Sequence, residues 1–185
     1  MPKYRILFVL DSIATGGAEF STLLLARDLI SSGYKIKIAV LKKSNQVFEI
    51  EKFNLKDTDL FIPKNSDSKI NSSFKWIKQI IKEYQPEIVH SVLFESNLIC
   101  RFLRFCNGGF KHVESLVNAS YSKEKMTDPN VAKYKILAVK YLDWITGKFG
   151  VDLYHSNAIS VSNHYNEKLG IPIHKMIMIP RGKGI

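Results

Sequence analysis

The sequence predicts an α/β fold: Rossmann-like and doubly wound, with a mainly parallel sheet and helices on both faces. Three observations predict it. Apolar runs of strand length alternate with amphipathic stretches of helix length along almost the whole chain. The first run, Tyr4 to Leu10 (YRILFVL), is apolar nearly throughout, as a strand buried on both faces of a parallel sheet must be. Strand, helix and second strand then fit within about forty residues, the size of a βαβ unit.

After the first strand comes a polar turn, Asp11 to Gly17 (DSIATGG). Ala18 to Ser32 reads as a helix, with Leu25 and Leu29 in one apolar row and Leu23, Ala26 and Ile30 in a second; Gly33 supplies the stop. Lys35 to Leu41 alternates and then becomes apolar, which predicts the second strand. Asp59 to Ile62 is a short strand ended by Pro63, and Asn65 to Ser73 is polar and loop-like. Phe74 to Tyr84 is predicted helical, with Ile77, Ile80 and Ile81 inward and Lys75, Lys78 and Lys82 outward. Glu87 to Val92 follows Pro86 as a strand, Asn97 to Phe105 is helical, and Gly108-Gly109 breaks that helix before the strand Lys111 to Val117.

Asp128-Pro129 is a helix start, with Asp128 as N-cap and Pro129 at the first helical position. That helix is expected to reach about Phe149, with Tyr134, Leu137, Tyr141 and Ile145 as its buried stripe and Gly150 as its end. Asp152 to Ile159 is a strand, Ser160 caps a short helix through Leu169, and Gly170 closes it. Met176 to Ile179 is the last strand, stopped by Pro180. In such sheets ligands bind beyond the carboxyl ends of the strands. Loops 11–17, 92–96, 117–128 and 180–185 are therefore where a site is expected.

The length, 185 residues, suits one domain. No apolar run reaches the roughly 18 residues of a membrane-spanning helix, and the N-terminal run is too short for a signal peptide, so the expected location is cytoplasmic. Cys100 and Cys106 lie six apart without metal-ligand neighbours and read as reduced, partly buried thiols. The net charge of +10 favours anionic partners.

Four segments carry candidate chemistry. In DSIATGGAE, Gly16 and Gly17 let the backbone approach a ligand, and the following helix N-terminus offers unpaired N–H groups to an anion. A tight turn alone would use the same glycines. In PEIVHSVLFESN, His90 nears the end of a buried strand, and Glu95, Ser96 and Asn97 open the next helix, with Ser96 or Asn97 available as its cap. A histidine on an apolar strand also fits a hydrogen-bonded core residue, and no nucleophile–base pair is implied. In SLVNASYSKEK, Asn118, Ser120, Tyr121 and Ser122 follow a strand end and are placed either to select a ligand or to bond the local backbone. In IPRGKGI, Arg181 and Lys183 flank Gly182.

Taken in order, these segments resemble family-4 glycosyltransferases of the GT-B fold, over essentially the whole chain. Gly16-Gly17-Ala18-Glu19 resembles the family's glycine turn. Pro86-Glu87-Ile88-Val89-His90 resembles its Pro-Asp-Ile-Val-His strand, and Leu93-Phe94-Glu95-Ser96-Asn97 its continuation. Leu169-Gly170-Ile171-Pro172, Lys175 and Ile179-Pro180-Arg181-Gly182 resemble its late segments.

The resemblance implies an N-terminal, acceptor-side domain spanning residues 1–185, with the donor-binding C-terminal domain absent from this chain. It implies transfer of a sugar from a nucleotide-diphosphate sugar to a glycan or lipid-linked acceptor, with retention and without a bound metal or cofactor. Gly16 and Gly17 would approach the donor phosphate. Glu19, His90, Glu95, Asn97, Asn118, Ser120, Tyr121 and Arg181 would line the acceptor cleft. The isolated domain is expected to be inactive.

The chain departs from the family at Val92, where relatives carry a second histidine. It departs again at Val117, where they carry one near the donor phosphate; Asn118 or backbone groups would take its place. Arg181 stands where relatives often have Asn. The alternative reading is a Rossmann-like module that binds a sugar or nucleotide without chemistry. Nucleic acid is not expected, because the lysines are spread over several helices. Peripheral contact with anionic lipid is an expectation for the helix bearing Lys75, Trp76, Lys78 and Lys82 and for the lysine-rich stretch from Tyr121 to Lys140.

Overall fold

Apart from the second and third strands, which follow one another, strands and α-helices alternate among the described residues of the computed structural model, which are 4–14, 16–43, 53, 55–56, 59–63, 70–122 and 133–180. The order is β1 (Arg5–Leu10), α1 (Gly17–Ser31), β2 (Lys35–Val40), β3 (Leu60–Phe61), α2 (Ile70–Tyr84), β4 (Ile88–Val92) and α3 (Phe94–Asn107). It continues with β5 (Lys111–Leu116), α4 (Lys133–Gly150), β6 (Leu153–Ser156), α5 (Ile159–Leu169), a 3-10 turn (Ile173–Lys175) and β7 (Met176–Met178). The strands form one parallel sheet in the order β3-β2-β1-β4-β5-β6-β7. This is the predicted Rossmann-like, doubly wound fold, and its strand order reverses between β1 and β4.

Strand periodicity sorts the core into two faces. On one, Phe8, Leu10, Ile36, Ile38 and Val40 pack against Leu23 and Ala26 of α1. On the other, Leu7, Val9, Ala39 and Val89 pack against Ile77 and Ile80 of α2 and Ile99, Cys100 and Leu103 of α3. Farther along, Tyr154 and Leu116 pack against Val161, Tyr165 and Leu169 of α5. Each helix lies on the face that a right-handed crossover requires. Helices thus cover both faces, though unequally: among the described residues α1 stands alone on its side. Cys100 is buried, with its thiol pushed up by burial, while Cys106 is exposed rather than partly buried.

Several element boundaries differ from those expected. Residues 70–73, predicted as loop, are the first turn of α2, with Ser73 buried. α3 begins at Phe94, three residues before the expected start at Asn97, so Ser96 and Asn97 lie inside it and neither is its N-cap. The cap position is Leu93, whose φ of 79° and ψ of 165° lie in a region that is almost glycine-only. α5 starts at Ile159 with Ala158 as cap, so Ser160 is inside the helix and β6 is shorter than Asp152 to Ile159. Asp152 instead accepts hydrogen bonds from Arg104, Lys111 and the His112 backbone N–H. The predicted helix start at Asp128-Pro129 lies outside the described residues.

The largest correction concerns α4. Tyr134, Leu137, Tyr141 and Ile145, the expected buried stripe, are all exposed. The buried face is Asp143, Gly147 and Gly150, at the same helical spacing. A Cβ placed on Gly150 would come within 2.5 Å of the Arg101 Cβ and 2.7 Å of its Cα, and one on Gly147 within 2.8 Å of the Tyr154 hydroxyl. Small residues let α4 approach α3 closely, and that approach turns the bulky side chains outward.

His112 lies fully buried under this contact. Its Nδ1 donates to the Gly150 carbonyl at 2.5 Å, and its Nε2 accepts from the Ser91 hydroxyl at 2.7 Å. Burial, opposed by the Gly150 bond and assisted by nearby Arg101, pushes its pKa from the ordinary 6.5 down to about 4. The ring is therefore neutral in the folded state while the unfolded chain takes up a proton below pH 6.5. Stability should fall by about 3 kcal/mol as the pH drops from 6.5 to 4, and then level off. Urea unfolding across that window should show a slope that is reduced in His112→Gln.

Candidate functional site

At the reversal of strand order β1 and β4 pair through their last residues, Leu10 and Val92, and polar contacts join the loops that leave them. Asp11, just past β1, accepts hydrogen bonds from the Ser96 backbone N–H at 2.8 Å and the Ser96 hydroxyl at 2.6 Å. It supplies the missing cap of α3 from a different loop. Burial raises the Asp11 carboxyl, and the two Ser96 bonds pull it back. The strained Leu93 sits in this junction.

Beside it opens a cavity of about 430 Å³, in the size range of small-molecule sites. Its polar lining is Asp11, Asn97, Glu114, Asn118, Ser120, Tyr121 and Asp143, and Leu93, Phe94, Val117, Ile136 and Val139 form apolar walls. The Asn97 Oδ1 is buried and, among the described residues, has no hydrogen-bond partner. It is an acceptor waiting for a donor.

The floor of the cavity is a buried ion cluster. Arg101 of α3 donates to both Glu114 oxygens, from Nε at 2.7 Å and from Nη2 at 2.6 Å. Its Nη1 donates to Asp143 Oδ1 at 2.5 Å and to the Thr146 hydroxyl at 2.9 Å. The Tyr121 hydroxyl donates to the other Asp143 oxygen at 2.5 Å. Burial and the Asp143 charge push the Tyr121 phenol far up, so it stays a donor. From there the order spreads outward. The Tyr121 N–H donates to His164 Nε2, Tyr165 donates to the Ser120 hydroxyl, and Ser120 donates to Asn118 Oδ1. The loop after β5 is thereby tied to α4 and α5.

The structure thus brings together Asn97, Asn118, Ser120 and Tyr121, as the sequence suggested, and adds Asp11, Glu114 and Asp143. Glu114 sits on a predicted strand and Asp143 on a predicted helix; a lone carboxylate within each apolar pattern was the available signal.

The other candidates lie elsewhere. Glu95 accepts from Lys42 Nζ at 2.7 Å in a half-exposed ion pair that ties α3 to the end of β2. Glu19, buried, folds back over Gly16, where a Cβ would meet its Oε2 at 2.2 Å. A carboxylate already occupies that side of the α1 N-terminus. Gly17 differs: a Cβ there meets nothing within 4 Å, so no internal contact explains the glycine. Arg181 lies outside the described residues.

His90 faces a second cavity of about 390 Å³ on the α1 side of the sheet, which shares Ser115 with the first. The hydrogen bonds around it have a direction. His155 Nε2 meets the Ile179 carbonyl at 3.1 Å and must donate, so in the neutral ring Nδ1 accepts. Ser115 then donates to His155 Nδ1 at 3.2 Å and accepts from His90 Nε2 at 2.8 Å. His90 Nε2 therefore carries a proton and is engaged as a donor.

Two substitutions test this architecture. Arg101→Met leaves Glu114 and Asp143 buried without their cation and should cost about 3–5 kcal/mol in urea unfolding, with Glu114→Gln in the same chain restoring part of the loss. Asp11→Ala removes the borrowed cap and should cost about 1 kcal/mol, read in the same measurement.

No family model matches the sequence, and no curated protein matches it. Solved structures do match. A glycosyltransferase from Rickettsia africae is 24% identical, with a TM-score of 0.65 over 98% of this chain and 44% of its own. A lipopolysaccharide outer core galactosyltransferase is 13% identical, with a TM-score of 0.62 over 95% of this chain and 45% of its own. The UDP-GlcNAc 2-epimerase of Methanocaldococcus jannaschii is 10% identical, with a TM-score of 0.63 over 95% of this chain and 45% of its own. The chain thus spans less than half the length of each. At these identities the likeness establishes the fold: a Rossmann-like α/β domain of the architecture found in GT-B proteins.

Proposed function

We propose that this domain is the acceptor-side, N-terminal half of a family-4 GT-B glycosyltransferase. It would act in retaining transfer of a sugar from a nucleotide-diphosphate sugar to a glycan or lipid-linked acceptor. The observation that carries the reading is the cavity at the strand-order reversal. Its rim and floor present acceptors and donors suited to sugar hydroxyls, namely Asp11, Asn97, Asn118 and Ser120. Its walls of Leu93, Phe94, Val117, Ile136 and Val139 suit the C–H face of a sugar ring. The ordered motifs favour transfer over epimerisation.

The roles follow from the chemistry. The acceptor hydroxyl oxygen forms the new bond to the anomeric carbon as the bond to the diphosphate oxygen breaks, and the hydroxyl proton passes to the departing diphosphate oxygen. Negative charge builds on the departing diphosphate, and preorganised N–H groups facing it lower the barrier. The open backbone at Gly17, on the first turn of α1, would supply them. Gly16 is less suited, because the Glu19 carboxylate lies over it. Asn118, beside the valine that replaces the family histidine, accepts from the Ser120 hydroxyl, lines the cavity and would contact the acceptor. Tyr121 acts on the cavity through Asp143, as a positioning residue.

A transferase screen of the complete gene product against a panel of nucleotide sugars tests the reading. Transfer from at least one donor is expected. Gly17→Val should lower the rate on the order of a hundredfold while leaving the unfolding midpoint nearly unchanged, because among the described residues a Cβ there meets no atom within 4 Å. Undiminished transfer in that variant would reduce Gly17 to a turn residue, and no transfer from any donor would sink the proposal.

A further inference from the structure

Among the described residues, nothing covers an apolar stripe on the outward face of α4. Tyr134, Leu137, Tyr141, Trp144, Ile145 and Phe149 are all exposed, Tyr134 and Phe149 by about 70%. They fall on one side of the helix, opposite Asp143, Gly147 and Gly150. The neighbouring α3 adds exposed Phe102 and Phe105. Soluble monomers rarely leave so many aromatic side chains together in water.

Charge indicates what covers the stripe. The α4 sequence holds Lys133, Lys135, Lys140 and Lys148 and a single acid, Asp143. That acid is spent inside the protein on Arg101 and Tyr121. Among the described side chains of α4 the cations are Lys148, exposed, and Lys140, half-buried, so this surface is cationic and apolar with no acid to offset it. Lys148 lies over the Trp144 ring, 3.6 Å from its centroid, an amphipathic pair of the kind found at membrane interfaces. A second copy docked face to face would oppose lysines to lysines, whereas an anionic surface complements them.

α2 does not share these features. Its lysines are exposed, but Ile77 and Ile80 are buried and Trp76 packs against the core, so its outer face is simply wet. Among the described residues, no helix is long and apolar enough to cross a membrane.

We infer that the outer face of α4, extended by Phe102 and Phe105 of α3, is a docking surface for an anionic lipid bilayer, which the helix enters side-on at the interface. The inference stands whether or not the domain transfers sugar.

Co-sedimentation of the complete protein with phosphatidylcholine vesicles, with and without phosphatidylglycerol, tests it. Binding is expected to the mixed vesicles, weakened by salt, with little binding to phosphatidylcholine alone. Brominated lipid should quench emission from Trp144 and not from the Trp144→Phe variant. The combined Leu137→Ser, Tyr141→Ser and Phe149→Ser variant alters exposed positions that do not line the cavity. It should keep the far-ultraviolet circular dichroism and lose roughly tenfold or more of the binding. Lys140→Glu with Lys148→Glu should do the same at low salt. Wild-type binding in the serine variant, equal binding to both vesicle types, or no binding to either would overturn the inference. So would a dimer in sedimentation velocity that the serine variant dissolves, because the stripe would then cover a second copy.

Discussion

The Arg101 guanidinium is taken out of water and shared between Glu114 on β5 and Asp143 on α4. Desolvating three charges is costly, and it is offset only because each guanidinium nitrogen and each carboxylate finds a partner. The near-saturated set includes the Thr146 and Tyr121 hydroxyls. Such a cluster fixes more than energy. It sets which face of α4 meets α3, how deep the helix sits, and where the loop after β5 is anchored. The cavity, the order of Asn118 and Ser120, and the outward stripe of α4 all follow from that one placement.

The close approach makes the cluster workable. Gly147 and Gly150 remove the side chains that would hold the helices apart, so Arg101 reaches Asp143 directly. An α4 docked through Leu137 and Tyr141 would push Asp143 toward solvent and leave Arg101 and Glu114 facing apolar neighbours. The sequence contains two stripes at helical spacing, one bulky and apolar, the other small and acidic. The buried guanidinium decides between them.

The strands and most helices were legible because burial on both faces of a parallel sheet writes itself as short apolar runs, as in Tyr4 to Leu10. Asn97, Asn118, Ser120 and Tyr121 were legible as residues that share a cavity because the strand ends of such a sheet converge on its ligand-binding edge. What was not legible depended on partners distant in sequence. Ser96 and Asn97 looked like caps because local sequence offered no other, yet the cap is Asp11, eighty-five residues away. His90 looked available until Ser115, from the neighbouring strand, engaged its Nε2. The α4 stripe was misassigned because periodicity reports which residues share a face and not which face is buried; that choice belonged to Arg101 on another helix.

α4 serves two surfaces at once, and the distance between them has a consequence. Its inner residues Ile136, Val139 and Asp143 line the cavity, while Tyr134, Leu137, Tyr141 and Trp144 point away from the sheet. A helix with side chains is about 10–12 Å across. A bilayer lying on the outer face would therefore sit about one helix diameter from the cavity. A reacting group carried on a short spacer from a membrane-embedded lipid spans that distance without leaving the bilayer. A freely diffusing glycan gains nothing from it. On the inferred docking, α4 would have a reason to keep its aromatic side outward: the same glycine contact that seals the ion cluster would hold the cavity at a fixed, short height above the bilayer.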